Sequence, residues 1–188
     1  MNEPEVPCTK IVFFGDSITE SGRNHMDDTD LGVGYVKIAA GKLRLLYPDT
    51  KFCFLNRGVG GERTAELCAR VQKDVVDQQP DFVVLEVGIN DVWCRFSRGE
   101  EVTPDAFRAN YTYLVDTIMA TGAKLFLIQP YALKMGDKQR FRPFLAKFNE
   151  IIREIAAERR LPLIPTDEIF MGVTQDIDPA QFSADGVH

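Results

Sequence analysis

Five short, almost wholly apolar runs recur along the chain, at residues 10–14, 51–55, 82–87, 124–129 and 161–164. None has helical periodicity, and a strand that is apolar on both faces belongs inside a parallel sheet covered on both sides. The segments between them have helical spacing. Residues 35–46 place Val36, Ala39, Ala40, Leu43 and Leu46 on one stripe, stopped by Tyr47-Pro48-Asp49. Residues 64–78 carry Leu67, Val71 and Val75 ahead of Gln79-Pro80-Asp81. Thr103 reads as an N-cap, with Pro104 at the first helical position and Asp105 in the first turn, for a helix running toward Thr121-Gly122. Residues 144–159 put Phe148, Ile151, Ile152 and Ile155 on one face. Strand and helix in alternation require right-handed crossovers, which predicts an α/β domain: a three-layer α/β/α sandwich around a five-stranded, parallel, flavodoxin-like doubly wound sheet.

At 188 residues, residues 1–188 make a single domain with one core. A formal net charge of −6 excludes an extended phosphate-binding surface, so no nucleic-acid partner is expected. The basic residues between Arg153 and Arg160 alternate with Glu150, Glu154 and Glu158, as on a solvated helix face. The four cysteines, Cys8, Cys53, Cys68 and Cys94, form no C-x-x-C pair and are expected as buried free thiols. Residues 1–9 contain Glu3 and Glu5 and no apolar run, so a cytoplasmic location is the expectation, with export open if a leader was removed. No long apolar lid or amphipathic flap is visible, and no stable membrane association is expected.

The longest irregular stretches, at 21–33, 92–102 and 130–143, follow predicted strand ends, where doubly wound sheets bind ligands. Four polar blocks fall in the same positions. After the first strand comes Gly15-Asp16-Ser17-Ile18, whose glycine permits a turn that lifts Ser17 out at the sheet edge. By itself such a serine is more often a helix N-cap than a nucleophile. After the second strand, the residues from Asn56 to Thr64 hold three glycines within four positions, which suits backbone N–H groups aimed at an oxyanion and equally suits a loop that only needs positive φ. After the third comes Gly88-Ile89-Asn90-Asp91, where Asn90 can donate to an oxyanion or cap its own turn. Asp185-Gly186-Val187-His188 is more specific: an Asp three residues before a His can accept from imidazole Nδ1–H and leave Nε2 to take a serine proton. The other histidine, His25, lies in a polar stretch and reads as a surface residue. Position 19 is Thr, so the G-x-S-x-G elbow is not met, and neither a P-loop nor G-x-G-x-x-G occurs.

These blocks, in this order over nearly the whole chain, resemble the SGNH hydrolase superfamily, the GDSL-type esterases and lipases. The resemblance implies a serine esterase with Ser17 as nucleophile, His188 as general acid/base and Asp185 as its orienting partner. The implied oxyanion hole comprises the N–H groups of Ser17 and Gly61 and the Asn90 side chain. No metal and no cofactor is implied, and the partner is a small-molecule ester. Short-acyl or acetyl esters are the expected substrates. A lysophospholipase- or thioesterase-like acylhydrolase is the alternative, and a catalytically silent carbohydrate- or lipid-binding protein on the same fold another. Asp16, Trp93 and Tyr131 are the expected substrate contacts, with Phe96, Phe141 and Phe182 as further apolar wall. Ile18 stands where the family usually has Leu. Members continue past this histidine into a further helix, so the natural chain is expected to extend beyond His188.

Overall fold

The computed structural model describes residues 8–188. Strand β1 (Thr9–Gly15) leads into a one-turn helix α1 (Ser17–Glu20), and α2 (Tyr35–Leu46) follows the first long loop. Then come β2 (Phe52–Gly58), α3 (Thr64–Asp74), β3 (Phe82–Glu86), α4 (Ile89–Ser97), α5 (Pro104–Met119) and β4 (Lys124–Ile128). The chain goes on through α6 (Arg142–Arg159), β5 (Leu163–Ile164) and α7 (Thr166–Val173). All strand pairs are parallel and the order is β2-β1-β3-β4-β5. The order reverses between β1 and β3, so the crevice outside their carboxyl ends is the switch point of the sheet.

The alternation of β1 divides the core. Val12 and Phe14 face the larger cluster, where α3, α5 and α6 contribute Leu67, Phe107, Tyr111 and Ile152. Ile11 and Phe13 face the smaller one, with Val36 and Ala40 of α2 and Phe54 of β2. Beside α2 this second face holds an apolar cavity of about 550 Å³ over Phe82, Val84 and Phe126, which contains none of the four polar blocks.

Several elements differ from their sequence expectation, each for a local reason. Of the stretch 92–102 only 98–102 is irregular: α4 occupies 89–97, because Ile89, Val92, Trp93 and Phe96 repeat at helical spacing. The helix expected over 64–78 leaves α geometry at Val75 and finishes as a 3₁₀ turn, Val76–Gln78, since Pro80 disfavours continued helix at Gln79. Strand β5 is only two residues long, Pro162 being unable to donate to the ladder. Helix α7 is marked by Asp167 and Glu168 in its first turn. The cysteine expectation is corrected at two positions. Cys8 and Cys53, at the amino ends of adjacent strands, form a disulfide, while Cys68 and Cys94 are free.

Candidate active site

The Ser17 turn follows from the residues around it. Gly15 pairs with Gly58 on one side and Glu86 on the other, and a Cβ there would come within 2.3 Å of the Glu86 carbonyl and of Thr19 Oγ1. Asp16 then caps α1, its Oδ1 accepting from the Ile18 N–H at 3.0 Å. Ser17 is therefore the first residue of a helix, on its positive end. Asp16 itself is fully buried, which corrects its expected role as a substrate contact: it holds the turn from beneath.

His188 comes to Ser17 from the far end of the chain. Ser17 Oγ and His188 Nε2 are 2.8 Å apart, and His188 Nδ1 is 2.7 Å from Asp185 Oδ2. The carboxylate can only accept, so Nδ1 carries the proton and Nε2 is left to accept from the hydroxyl. Asp185 Oδ1 takes backbone N–H bonds from Val187 (2.9 Å) and His188 (2.8 Å) and a hydroxyl bond from Ser183 (3.2 Å). Partial burial works against its charge, but these bonds and the imidazole outweigh it and hold Asp185 well below the usual carboxylate range.

Ser17, Gly61, Asn90, Trp93 and His188 line one cleft of about 330 Å³, joined by Arg63 and Arg98. Gly61 has φ of +79°, a left-handed conformation that favours glycine. Asn90 Nδ2 donates one hydrogen to the Glu62 carbonyl at 3.0 Å, which fixes the amide plane and leaves its second hydrogen. Of the expected aromatic wall only Trp93 lines this cleft, with Lys138 Nζ 4.1 Å from its ring centre. Tyr131 packs on Phe170, as does Phe182, and Phe141 is buried against Phe96. His25 is at the surface, paired with Glu20.

Beneath the cleft lies a layer of buried polar residues that motif reading passed over. Asn56 ties the switch point together, donating to the carbonyls of Thr19 (2.8 Å) and Leu31 (3.0 Å) while accepting from the Gly58 N–H (2.9 Å). Asp91 clamps the start of α3, accepting from the Thr64 N–H (3.0 Å) and hydroxyl (2.6 Å); burial nevertheless raises it to about 6. Asp16 and Glu86 are in side-chain contact, and burial pushes Asp16 up to about 7 and Glu86 well above its ordinary range. Polar residues inside otherwise apolar strands, Asn56 in β2 and Glu86 in β3, were the available signal.

The model of the GDSL-like lipase/acylhydrolase family matches residues 13–188. The chain belongs to that family. It is 30% identical over 187 residues to an acetylxylan esterase of Geobacillus stearothermophilus, covering 95% of this chain and 85% of the relative. The solved structure of Axe2, an acetylxylan esterase of the same organism, superposes with a TM-score of 0.87 at 30% identity, over 96% of this chain and 86% of that one. Structures described as catalytic mutants of Axe2, with Ser, Asp or His replaced by Ala, are equally similar. LAE5, an α/β hydrolase from the metagenome of Lake Arreo, Spain, gives a TM-score of 0.88 at 28% identity, covering 96% of this chain and 87% of that one. This GDSL-family chain is thus a serine-type carboxylic ester hydrolase.

Proposed function

We propose that Ser17, His188 and Asp185 form the triad of an esterase for acetyl groups on carbohydrate. Ser17 Oγ attacks the ester carbonyl as His188 Nε2 takes its proton, and the oxyanion is met by the N–H groups of Ser17 and Gly61 and the free hydrogen of Asn90. His188 returns the proton to the departing alkoxide. Water, deprotonated by the same nitrogen, then hydrolyses the acetyl-enzyme to acetate and free Ser17. The observation that carries this reading is the run of contacts from Ser17 Oγ through His188 to Asp185, 2.8 and 2.7 Å.

The acetylxylan esterases among the relatives support the acyl group, and a small cleft with one Trp wall suits a sugar face better than a long acyl chain. The test is hydrolysis of p-nitrophenyl esters from acetate to palmitate and of acetylated xylo-oligosaccharides by wild type and Ser17→Ala. Activity should peak at acetate, extend to the oligosaccharide and vanish in the variant. Undiminished hydrolysis by Ser17→Ala would sink the mechanism, and a peak at long chains would replace acetyl with lysophospholipase-type substrates.

As to location, our reading moves from the cytoplasm to an oxidising compartment. Cytosolic thiols are kept reduced, whereas Cys8 and Cys53 are bonded. Alkylation of the protein taken directly from its native cells should leave these two cysteines unmodified; modification of both would return it to the cytoplasm.

A further inference from the structure

Asp16 and Glu86 end the two strands that flank the switch point, and both are sealed from water, at 0% and 1% exposure. Each carboxyl has one oxygen with an ordinary donor: Asp16 Oδ1 accepts from Ile18 N–H, and Glu86 Oε2 accepts from the Thr19 hydroxyl at 3.4 Å. Each also has one buried oxygen, Asp16 Oδ2 and Glu86 Oε1, with no donor from any other residue. Neither forms an ion pair with Lys or Arg among the described residues. Two carboxylates in contact in a dry site cannot both be ionised. A single proton on Glu86 Oε1, given to Asp16 Oδ2, satisfies both orphan oxygens.

Resting on the Ser17 reading above, we propose that Glu86 is a positioning residue for the hydrolysis: it stands as the neutral acid, donates to Asp16, and so keeps the Asp16 carboxylate fixed as the cap that aims Ser17. The consequences are both geometric and electrostatic. Asp16 precedes Ser17, so its cap sets the direction of the Ser17 N–H and Oγ. With one proton shared, a single negative charge lies beneath the site, whereas a second would oppose the oxyanion. Burial holds Glu86 well above the usual range, helped by the Asp16 charge. The groups facing the pair leave that proton in place. Tyr35, through Thr19, and Tyr111 are pushed up by burial and stay neutral, as does Tyr131, at about 12. Asp91 adds negative charge, which favours keeping the proton, and His188 opposes it only when it carries a second proton during turnover. Arg70 of α3 spends its guanidinium on Glu62, Asp74 and the Gly15 carbonyl.

The test uses Glu86→Gln, whose amide donates but cannot ionise, and Glu86→Leu, which cannot donate. Wild-type kcat should fall at alkaline pH as the shared proton leaves. Glu86→Gln should keep kcat within about threefold at neutral pH and lose that alkaline fall, while Glu86→Leu should lose at least about tenfold in kcat with KM little changed. An infrared spectrum at about pH 8, where ordinary carboxyls are ionised, should show a protonated-carboxyl stretch in wild type that Glu86→Gln lacks. The same band should persist in Ser17→Ala, so failure of the nucleophile assignment and failure of this proposal leave different signatures. If Glu86→Leu does not fold, the spectrum and the Glu86→Gln profile decide alone. No such band in wild type, an unchanged alkaline fall in Glu86→Gln, or Glu86→Gln as impaired as Glu86→Leu overturns the proposal.

Discussion

Replacing Asp185 by Asn keeps the shape of the side chain and should disable the enzyme, because the surroundings dictate which way the amide turns. In the wild type Oδ1 faces two backbone donors, the N–H groups of Val187 and His188, and Oδ2 faces His188 Nδ1. The backbone donors cannot reverse, so Asn will present its oxygen to them and its NH₂ to the imidazole. The opposite flip sets an NH₂ against two N–H groups, forfeiting two bonds worth about 1 kcal/mol each at a half-exposed site. A bias of about 2 kcal/mol leaves roughly one molecule in thirty with the productive tautomer. The lost charge adds to this: a carboxylate against imidazolium, partly screened by water, is worth about 2 kcal/mol, another factor of roughly thirty. The product is a loss of about 10³ in kcat, with KM and melting temperature nearly unchanged. Steady-state kinetics on p-nitrophenyl acetate, with circular-dichroism melting as the folding control, measures it. A loss smaller than about tenfold in a folded variant would refute the tautomer argument.

Three other expectations follow from the same geometry. Asn90→Ala should lower kcat about 10²–10³-fold with little change in KM, the cost of one oxyanion donor, in the same ester assay. Asp91 is an acid raised from 3.8 to about 6 on folding, so the native state binds its proton more tightly and stability falls as pH rises through that interval. Asp91→Asn should remove this fall, which is on the order of 3 kcal/mol between pH 4 and 7, in urea titrations of both proteins across that range. Cys8→Ser opens a loop of sequence separation 45 and should cost about 2–4 kcal/mol, read as a lower midpoint in urea that reduction of the wild type reproduces.

The sheet was legible in the sequence because its signal is local. A strand buried on both faces must be apolar throughout, and all five runs became strands in the predicted parallel arrangement. Helix α2 has the predicted bounds, with Val36, Ala39, Ala40 and Leu43 of its stripe packed inward and Leu46 exposed at its end, and α5 began at the Thr103 cap, whose hydroxyl accepts from the Ala106 N–H at 3.2 Å. Helix α4 was missed although Ile89, Val92, Trp93 and Phe96 declare it, since the Gly-x-Asn-Asp block had been read as a strand end passing into a loop. The contact of His188 with Asp185 was legible because the two are close in sequence and an Asp three residues before a His can reach its imidazole. Pairings between distant segments were not. Cys8 meets Cys53 only because β1 and β2 are adjacent in register, and the aromatic residues expected around the cleft sort between wall and core according to how α4 and α6 pack.

The buried polar layer explains why the four blocks hold together as one site. Asn56, Asp16, Glu86 and Asp91 lie at the carboxyl ends of β2, β1 and β3 or just beyond, each closing a bond between segments that no helix or strand ladder joins. Asn56 fixes the α1 turn to β2, Asp91 fixes α4 to α3, and Asp16 with Glu86 fixes α1 to β3. An apolar residue at any of these positions would bury more hydrocarbon and leave orphaned backbone or carboxyl groups beside it. The proposed oxyanion donors Ser17 and Asn90 each sit one residue from these anchors in sequence, and Gly61 precedes the Thr64 clamp by three. Donors that act in the transition state must already point the right way, and under the proposed mechanism Asp16 orients Ser17 through its cap and the Glu62 carbonyl orients Asn90.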